Sequence, residues 1–309
     1  MIYDLIIVGA GSGGLSAAIY AGRAMLSTLI IEKSSVGGRI KDTFQIDNYP
    51  GFTEITGQEL INKFREQSEK YSTNNFMYGT VTRIKKEKDS TFTVSTKRKG
   101  DFRAKAVIAA LGTKTKTLNI EGEYQYDGKG VSYCSTCDAE FFKGKDIHIL
   151  GSGNVALEEA EYLANYANKI SIIVLHEEGI VDGSQIQYHK LLKNPKIEFI
   201  WNTEVLKIKG NNEFLKELKI KNRKTGEIKK ISSEGLFIFI GVIPQTEILK
   251  DIAELDKDGF VTVDEKCQTK IEGLYAVGDC TNTYLKQVVT AVSDGAKAAV
   301  AAEKYIRGK

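Results

Sequence analysis

No stretch of this 309-residue sequence approaches the roughly 18 to 20 consecutive apolar residues that a membrane-spanning helix needs. Charge of one sign is also scarce: 43 Lys and Arg against 40 Asp and Glu leave a formal net charge of +3, too little for a nucleic-acid partner. The basic clusters Arg83-Ile84-Lys85-Lys86, Lys97-Arg98-Lys99 and Lys229-Lys230 read as solvated hairpin faces. Metal ligands are few. There are three histidines and four cysteines, and one close cysteine pair, Cys134 and Cys137, has no second pair or nearby histidine to complete a zinc site. No charged leader with a cleavage site precedes Asp4-Leu5-Ile6-Ile7-Val8, so the expected location is the cytoplasm.

What is present exceeds a single core in size, and two domains are the natural prior for this length. Cys134-Ser135-Thr136-Cys137-Asp138 stands between two glycine-rich turns, Gly9-Ala10-Gly11-Ser12-Gly13-Gly14 and Gly151-Ser152-Gly153-Asn154-Val155-Ala156. Two cysteines two residues apart can close a disulfide where the backbone turns, and at a helix start one thiol is activated by backbone N–H groups. In a reducing compartment such a pair is more often catalytic than structural, and Asp138 is placed to move the proton. A plain structural disulfide and half of a zinc site remain as the other readings.

Residues 4 to 8 form a continuous apolar run, the mark of a strand covered on both faces. Gly9, Gly11 and Gly14 follow, then helical spacing from Leu15 to Ala24, then the strand Thr28-Leu29-Ile30-Ile31 ending in Glu32. Strand, glycine turn, helix, strand and acid fall in the order of a dinucleotide-binding unit, with phosphates at the helix start and ribose hydroxyls at the carboxylate. The turn-rich Gly37-Gly38-Arg39 and Asn48-Tyr49-Pro50-Gly51-Phe52 could wrap a longer cofactor. A helix over 55–72, antiparallel strands over 76–102 and a buried strand over 106–112 complete the first part.

The same grammar returns with a strand over 147–150, Gly151 and Gly153, a helix over 156–167 and a strand over 170–175. Its second strand ends in His176-Glu177-Glu178, with no arginine or lysine where the 2′-phosphate of NADPH would sit. NADH is compatible with an acid there; so is an empty site. A helix over 185–192, strands over 197–221 and the buried strand 236–241 close this part, with Pro244 marking a hinge. The tail holds Leu274-Tyr275-Ala276-Val277-Gly278-Asp279, where Asp279 is placed to accept from a ribityl-type hydroxyl, and a long alanine-rich helix from Gln287 to Ile306. Cys267 and Cys280 read as buried small hydrophobes, and His148, His176 and His189 as structural or surface residues.

These stretches, with Gly130-Val131-Ser132-Tyr133-Cys134, Phe237 to Gly241 and Lys286-Gln287-Val288-Val289-Thr290-Ala291, resemble the low-molecular-weight thioredoxin reductases over essentially the whole chain. The resemblance implies an α/β fold of two Rossmann-like, three-layer ββα dinucleotide-binding domains, the second inserted in the first. Residues 1–113 with 245–309 would bind FAD, and 114–244 would carry the redox disulfide on an NAD(P)-binding-like fold. It further implies that Cys137 faces the flavin, Cys134 attacks the partner disulfide and Asp138 is the acid/base. FAD would be held by Gly9, Gly11, Ser12, Gly13, Gly14, Glu32, Lys33, Gly38, Arg39, Asn48, Val81, Gly112, Gly278, Asp279, Lys286, Gln287 and Val288. A homodimer is expected, and rotation of one domain against the other about the two crossings.

The departures from the family pattern bear on the electron donor. The family's His-Arg-Arg-x-x-x-Arg signature is replaced by Val174-Leu175-His176, with Ile180 at its last position; Lys286, Cys280-Thr281 and Arg39 also differ from the usual residues. Losing the phosphate clamp while keeping the disulfide is similar to the ferredoxin-dependent flavin thioredoxin reductases. The leading expectation is transfer from reduced ferredoxin through FAD and the disulfide to thioredoxin, with NAD(P)H doubtful. Competing readings are an NADH- or NADPH-dependent thioredoxin reductase, and an oxygen-using flavin dithiol oxidase or redox sensor.

Overall fold

In the computed structural model, which describes residues 2–43, 46, 48–211 and 213–308, the chain divides into two compact units. One comprises Met1–Lys114 with Ile243–Lys309, the other Thr115–Val242.

The first unit opens with β1 (Ile2–Val8), α1 (Ser12–Arg23), β2 (Thr28–Glu32), α2 (Gly57–Glu69) and β3 (Asn74–Tyr78). β1 and β2 are apolar throughout because both faces are covered. Leu5, Ile7 and Ile30 enter the core beneath the helices, while Ile6, Val8, Leu29 and Ile31 enter a second core on the opposite face. That side is closed by β4 (Val81–Lys86), β5 (Phe92–Thr96) and the long β6 (Gly100–Ala109). β6 pairs antiparallel with β5 through Ala104 and parallel with β1 through Ala109, so one strand belongs to both kinds of sheet. Strand order is β3-β2-β1-β6-β5-β4. Thr56 starts α2 with a capping box to Glu59, in which each side chain takes the other's backbone N–H.

β7 (Thr113–Thr115) leads into the second unit: β8 (Val131–Ser132), α3 (Ser135–Asp138), β9 (Asp146–Leu150), α4 (Asn154–Leu163), β10 (Lys169–Ile173), α5 (Gln185–Leu191) and β11 (Ile197–Ile200). These are followed by β12 (Thr203–Gly210), β13 (Leu215–Asn222), β14 (Ile228–Ser232) and β15 (Gly235–Ile238). A parallel sheet, β11-β10-β9-β15-β8, lies between a helical layer and the antiparallel β12-β13-β14. Side chains alternate as before: Ile147, Ile149, Ile170 and Ile172 face the helices, and Leu150 and Ile173 the meander. β16 (Val242–Pro244) pairs with β7 at the crossings, and β17 (Leu274–Ala276) takes the place of β5 beside the second half of β6. α6 (Val288–Ile306) ends the chain, packed along α1. Close approach there requires glycine, since a Cβ on Gly295 would come within 2.1 Å of the Gly13 carbonyl.

Candidate functional site

The cysteine pair lies where a parallel strand turns into a helix. β8, paired with β15, delivers Cys134 to the N-cap of α3, and the Cys134 Sγ accepts from the Cys137 N–H at 3.3 Å. The two cysteines form a disulfide with their Cα atoms 5.4 Å apart; Cys137 is exposed and Cys134 half-buried. Backbone N–H groups aimed at a sulfur favour its thiolate form, which is the attacking species in disulfide exchange. Glu123 supports the loop leading here, a residue whose role nothing in its sequence neighbourhood signals. Fully buried, it accepts from Leu118 N at 2.8 Å, Asn119 N at 2.5 Å and the Tyr133 hydroxyl at 2.7 Å. Burial, reinforced by Glu123, pushes the Tyr133 phenol up and keeps it protonated.

The first glycine turn is built for close approach of a ligand. Gly9 has φ +103°, and a Cβ on Gly14 would sit 2.0 Å from the Gly9 carbonyl, so the helix start closes onto the turn without side chains. Around Gly11, Gly38 and Gly112, in contrast, an added Cβ would meet nothing nearer than 3.5 Å, which leaves an open cradle lined by backbone. Glu32 is 8% exposed; its Oε2 accepts from Ala10 N at 2.8 Å and its Oε1 from Ser34 N at 2.9 Å. The carboxylate thus braces the turn, and its remaining lone pairs suit ribose hydroxyls.

Residues distant in sequence meet this cradle. Arg39 Nη1 donates to Thr113 Oγ1 at 3.0 Å, Asn48 Nδ2 donates to Gln287 Oε1 at 3.1 Å, and Lys33 bonds Gln245. Lys286 donates to the Thr283 carbonyl at 3.1 Å and lies 4.1 Å over the Phe260 ring. Gly278, with φ +71°, and Asp279 follow β17; burial raises the Asp279 carboxyl above its usual range, opposed by the charges of Arg39 and Lys286. Among the described residues none hydrogen-bonds that carboxylate, so it is left for a ligand hydroxyl. Ser12 and Gly13 form the first turn of α1, Gln287 caps α6, Val288 packs on the helix-side core and Val81 on the meander-side core. An open glycine cradle with a helix start, a braced acid and an unpartnered carboxylate fits a flavin dinucleotide.

The second glycine turn is different. Gly151 has φ +125° and α4 starts at Asn154. A Cβ on Gly153 would meet nothing within 4 Å, so the turn is as open there as at Gly11, and the difference lies in the side chains that the segment after β10 brings to it. Gly183 N donates to the Ser152 carbonyl at 2.8 Å, as Gly37 N does to the Ala10 carbonyl at the first turn, but here Ser184 N also donates to Asn154 Oδ1 at 2.7 Å and Ser152 Oγ to Asp182 Oδ2 at 2.8 Å. A Cβ on Gly183 would come within 2.8 Å of Asn154 N, at the helix start where a diphosphate would rest. His176 Nε2 lies 3.0 Å from Asp182. One cation unseen in the sequence pattern is present: Lys224, from the β13–β14 turn, pairs with Glu177 at 3.0 Å, both side chains exposed. The expectation of no lysine or arginine at this strand end is therefore corrected, because a turn 47 residues downstream reaches it.

The remaining candidates are interior. Burial pushes the Cys267 thiol up to about 12 and the Cys280 thiol to about 11; Cys280 donates to the Val277 carbonyl at 3.3 Å. His148 is buried beside Ser233, its ring nitrogen 2.9 Å from the hydroxyl. No group of three metal-ligating side chains and no membrane-length apolar helix occurs among the described residues.

Comparison with known proteins agrees with this architecture. The family model described as pyridine nucleotide-disulphide oxidoreductase matches residues 3–295. A thioredoxin reductase of Peptoclostridium litorale is 40% identical, covering 99% of this chain and 97% of that one. The crystal structure of Lactococcus lactis thioredoxin reductase superposes with TM-score 0.95 at 36% identity, over 99% of this chain and all of that one. A ferredoxin-flavin thioredoxin reductase from Clostridium acetobutylicum matches at TM-score 0.54 and 29% identity, over 99% of each chain. With a disulfide at a helix start in one unit and a glycine cradle in the other, the chain belongs to the pyridine nucleotide-disulphide oxidoreductases and, within them, to the thioredoxin reductases, flavoproteins that work through a redox-active disulfide.

Proposed function

We propose that this protein reduces thioredoxin, taking electrons through FAD held by the first unit and the Cys134–Cys137 disulfide, and that its donor is reduced ferredoxin rather than NADPH. Bound FAD would supply the change between one- and two-electron chemistry that a ferredoxin donor requires. The chain itself contributes the rest: the Gly11, Gly38 and Gly112 backbone admits the cofactor, Glu32 and Asp279 receive its hydroxyls, and Lys286, Arg39, Asn48 and Gln287 close around it. In this reading Cys137 exchanges electrons with the flavin, Cys134 attacks the thioredoxin disulfide and Asp138 carries the proton. A homodimer belongs to the same reading.

The donor assignment rests on one observation, the Asp182 carboxylate held by Ser152 beside the second glycine turn. A nucleotide diphosphate would meet that carboxylate, while a 2′-phosphate would meet Glu177 and Glu178, with Lys224 already paired. The comparisons do not single out the ferredoxin branch, because the Lactococcus enzyme is the nearer match of the two structures. NADH is the second reading, favoured by Glu177 at the strand end, where an acid can hold ribose hydroxyls.

The test is anaerobic stopped-flow mixing of oxidised protein with NADPH, NADH or reduced ferredoxin while flavin absorbance is followed. Reduced ferredoxin is expected to bleach the flavin rapidly and NADPH at micromolar concentration to leave it oxidised. Rapid bleaching by NADPH overturns the donor assignment, and disulfide formation driven by oxygen overturns the direction of transfer.

A further inference from the structure

One hydroxyl ties the redox helix to the strand before it. Ser132, in β8, is 2% exposed and paired in register with Phe237 of β15, so its position is set by the sheet. Its Oγ accepts from Cys134 N at 3.1 Å and has two acceptors within reach: Asp138 Oδ2 at 2.6 Å and the Cys134 carbonyl at 3.2 Å. A hydroxyl has one proton to donate, and the shorter bond, to a carboxylate, is the stronger. Cys134 N–H, Ser132 Oγ and Asp138 Oδ2 therefore form a chain running from the backbone of the first cysteine to the carboxylate beyond the second.

We propose that Ser132 is a positioning residue for disulfide reduction: it holds Asp138 by Oδ2 and leaves Oδ1 as the oxygen that exchanges protons with sulfur. This deepens the reading above and rests on its assignment of Asp138 as the acid/base. The reduced pair acts on a partner disulfide in two displacements. Cys134 loses its proton to Asp138 and its thiolate attacks; the partner S–S bond breaks, a mixed disulfide forms, and the leaving partner thiolate takes the proton back from Asp138. Cys137, deprotonated in turn, attacks the Cys134 sulfur, the enzyme disulfide closes and the second partner thiolate is protonated. Two electrons and two protons pass to the partner, and Asp138 ends as it began.

The geometry explains why a fixed carboxylate matters. α3 is a single turn followed at once by a 3-10 turn over Ala139–Phe142. Asp138 stands at the N-cap of that turn but its side chain makes no capping bond to it, so the turn does not hold its rotamer. A bond to a buried hydroxyl on a paired strand supplies that restraint, and proton transfer requires the oxygen to be held within hydrogen-bond reach of the sulfur.

The test uses full-length protein reduced by dithionite and mixed with oxidised thioredoxin in a single turnover, which makes the result independent of the physiological donor. Ser132→Ala is expected to slow thioredoxin reduction about tenfold with flavin content and thiol count unchanged, and Ser132→Thr, which keeps the hydroxyl, to recover most of it. In an Asp138→Asn background, already slowed by about a hundredfold or more, Ser132→Ala is expected to change the rate less than about twofold, because residues acting as a unit are not additive. An equal loss in both backgrounds would mean that Ser132 only supports the fold and would overturn the inference, as would wild-type rates in Ser132→Ala. Full activity in Asp138→Asn would instead overturn the acid/base assignment beneath it.

Discussion

Two glycine turns, each between a buried strand and a helix, stand at corresponding places in the two units, and the difference between them is in what faces the helix start. Both turns leave space beside their middle glycine, Gly11 and Gly153, and both take a backbone bond from the loop that follows, Gly37 N to Ala10 and Gly183 N to Ser152. At Gly9–Gly14 the nearby acid, Glu32, points its oxygens at the backbone of its own turn. At Gly151–Ala156 the acid comes from the loop instead, where Asp182 accepts from the Ser152 hydroxyl and Ser184 N is tied to Asn154. A glycine turn by itself specifies tight backbone packing; a dinucleotide site also needs vacant space and a suitable electrostatic surface.

The strongest way to break this comparison is to fill the first turn. Gly14→Val is expected to lose bound flavin and cost more than about 3 kcal/mol in stability, since even its Cβ would overlap the Gly9 carbonyl. Flavin content of the purified variant checks it, and full retention would mean that the turn does not hold the cofactor.

The second unit carries an acid-sensitive group of its own. Burial first, with a contribution from Lys169, lowers the His148 imidazole of the second unit from 6.5 to about 4, against the opposing charges of Glu198 and Asp146. The unfolded chain thus binds the proton more readily than the folded one. Stability from the neutral ring is complete above pH 6.5 and lost as pH falls towards 4, about 3 kcal/mol in all. Trp201, the sole tryptophan, stacks on Phe199 with ring centroids 5.1 Å apart and reports on this unit alone. Its emission during urea unfolding is expected to show a lower midpoint at pH 4.5 than at pH 7, and His148→Leu to remove most of that dependence. Equal midpoints for the wild type would show that His148 is not the sensor.

The smallest effect sharpens the comparison. Asp182→Ala removes one carboxylate from the second turn and is expected to raise NADPH-driven flavin reduction about fivefold from a low base, a gain limited by solvent screening. No change would place the barrier in the Gly183 backbone rather than in the charge.

Much of this architecture is legible in the sequence. Runs such as Leu5-Ile6-Ile7-Val8 and Ile170-Ser171-Ile172-Ile173 announced strands covered on both faces, and the cysteine spacing announced a pair able to close. Helix limits were less legible. The second-unit helix ends at Leu163 rather than continuing to Ala167, and the strand expected over 106–112 belongs to one that begins at Gly100. The antiparallel part of that strand alternates like its meander neighbours, so its pattern carried no sign that it crosses into the parallel sheet.

What the amino-acid order determined alone was the repeated strand-turn-helix unit and the chemistry of Cys134-Ser135-Thr136-Cys137-Asp138, because both depend on residues adjacent in the chain. What only the tertiary structure decided was which partners reach those residues. Lys224 came to Glu177, Gly183 and Asp182 came to the second turn, and Glu123 and Ser132 came to the redox motif, through strand register and loop packing. Contacts of that kind depend on the path of the backbone in space, and local residue pattern carries no record of it.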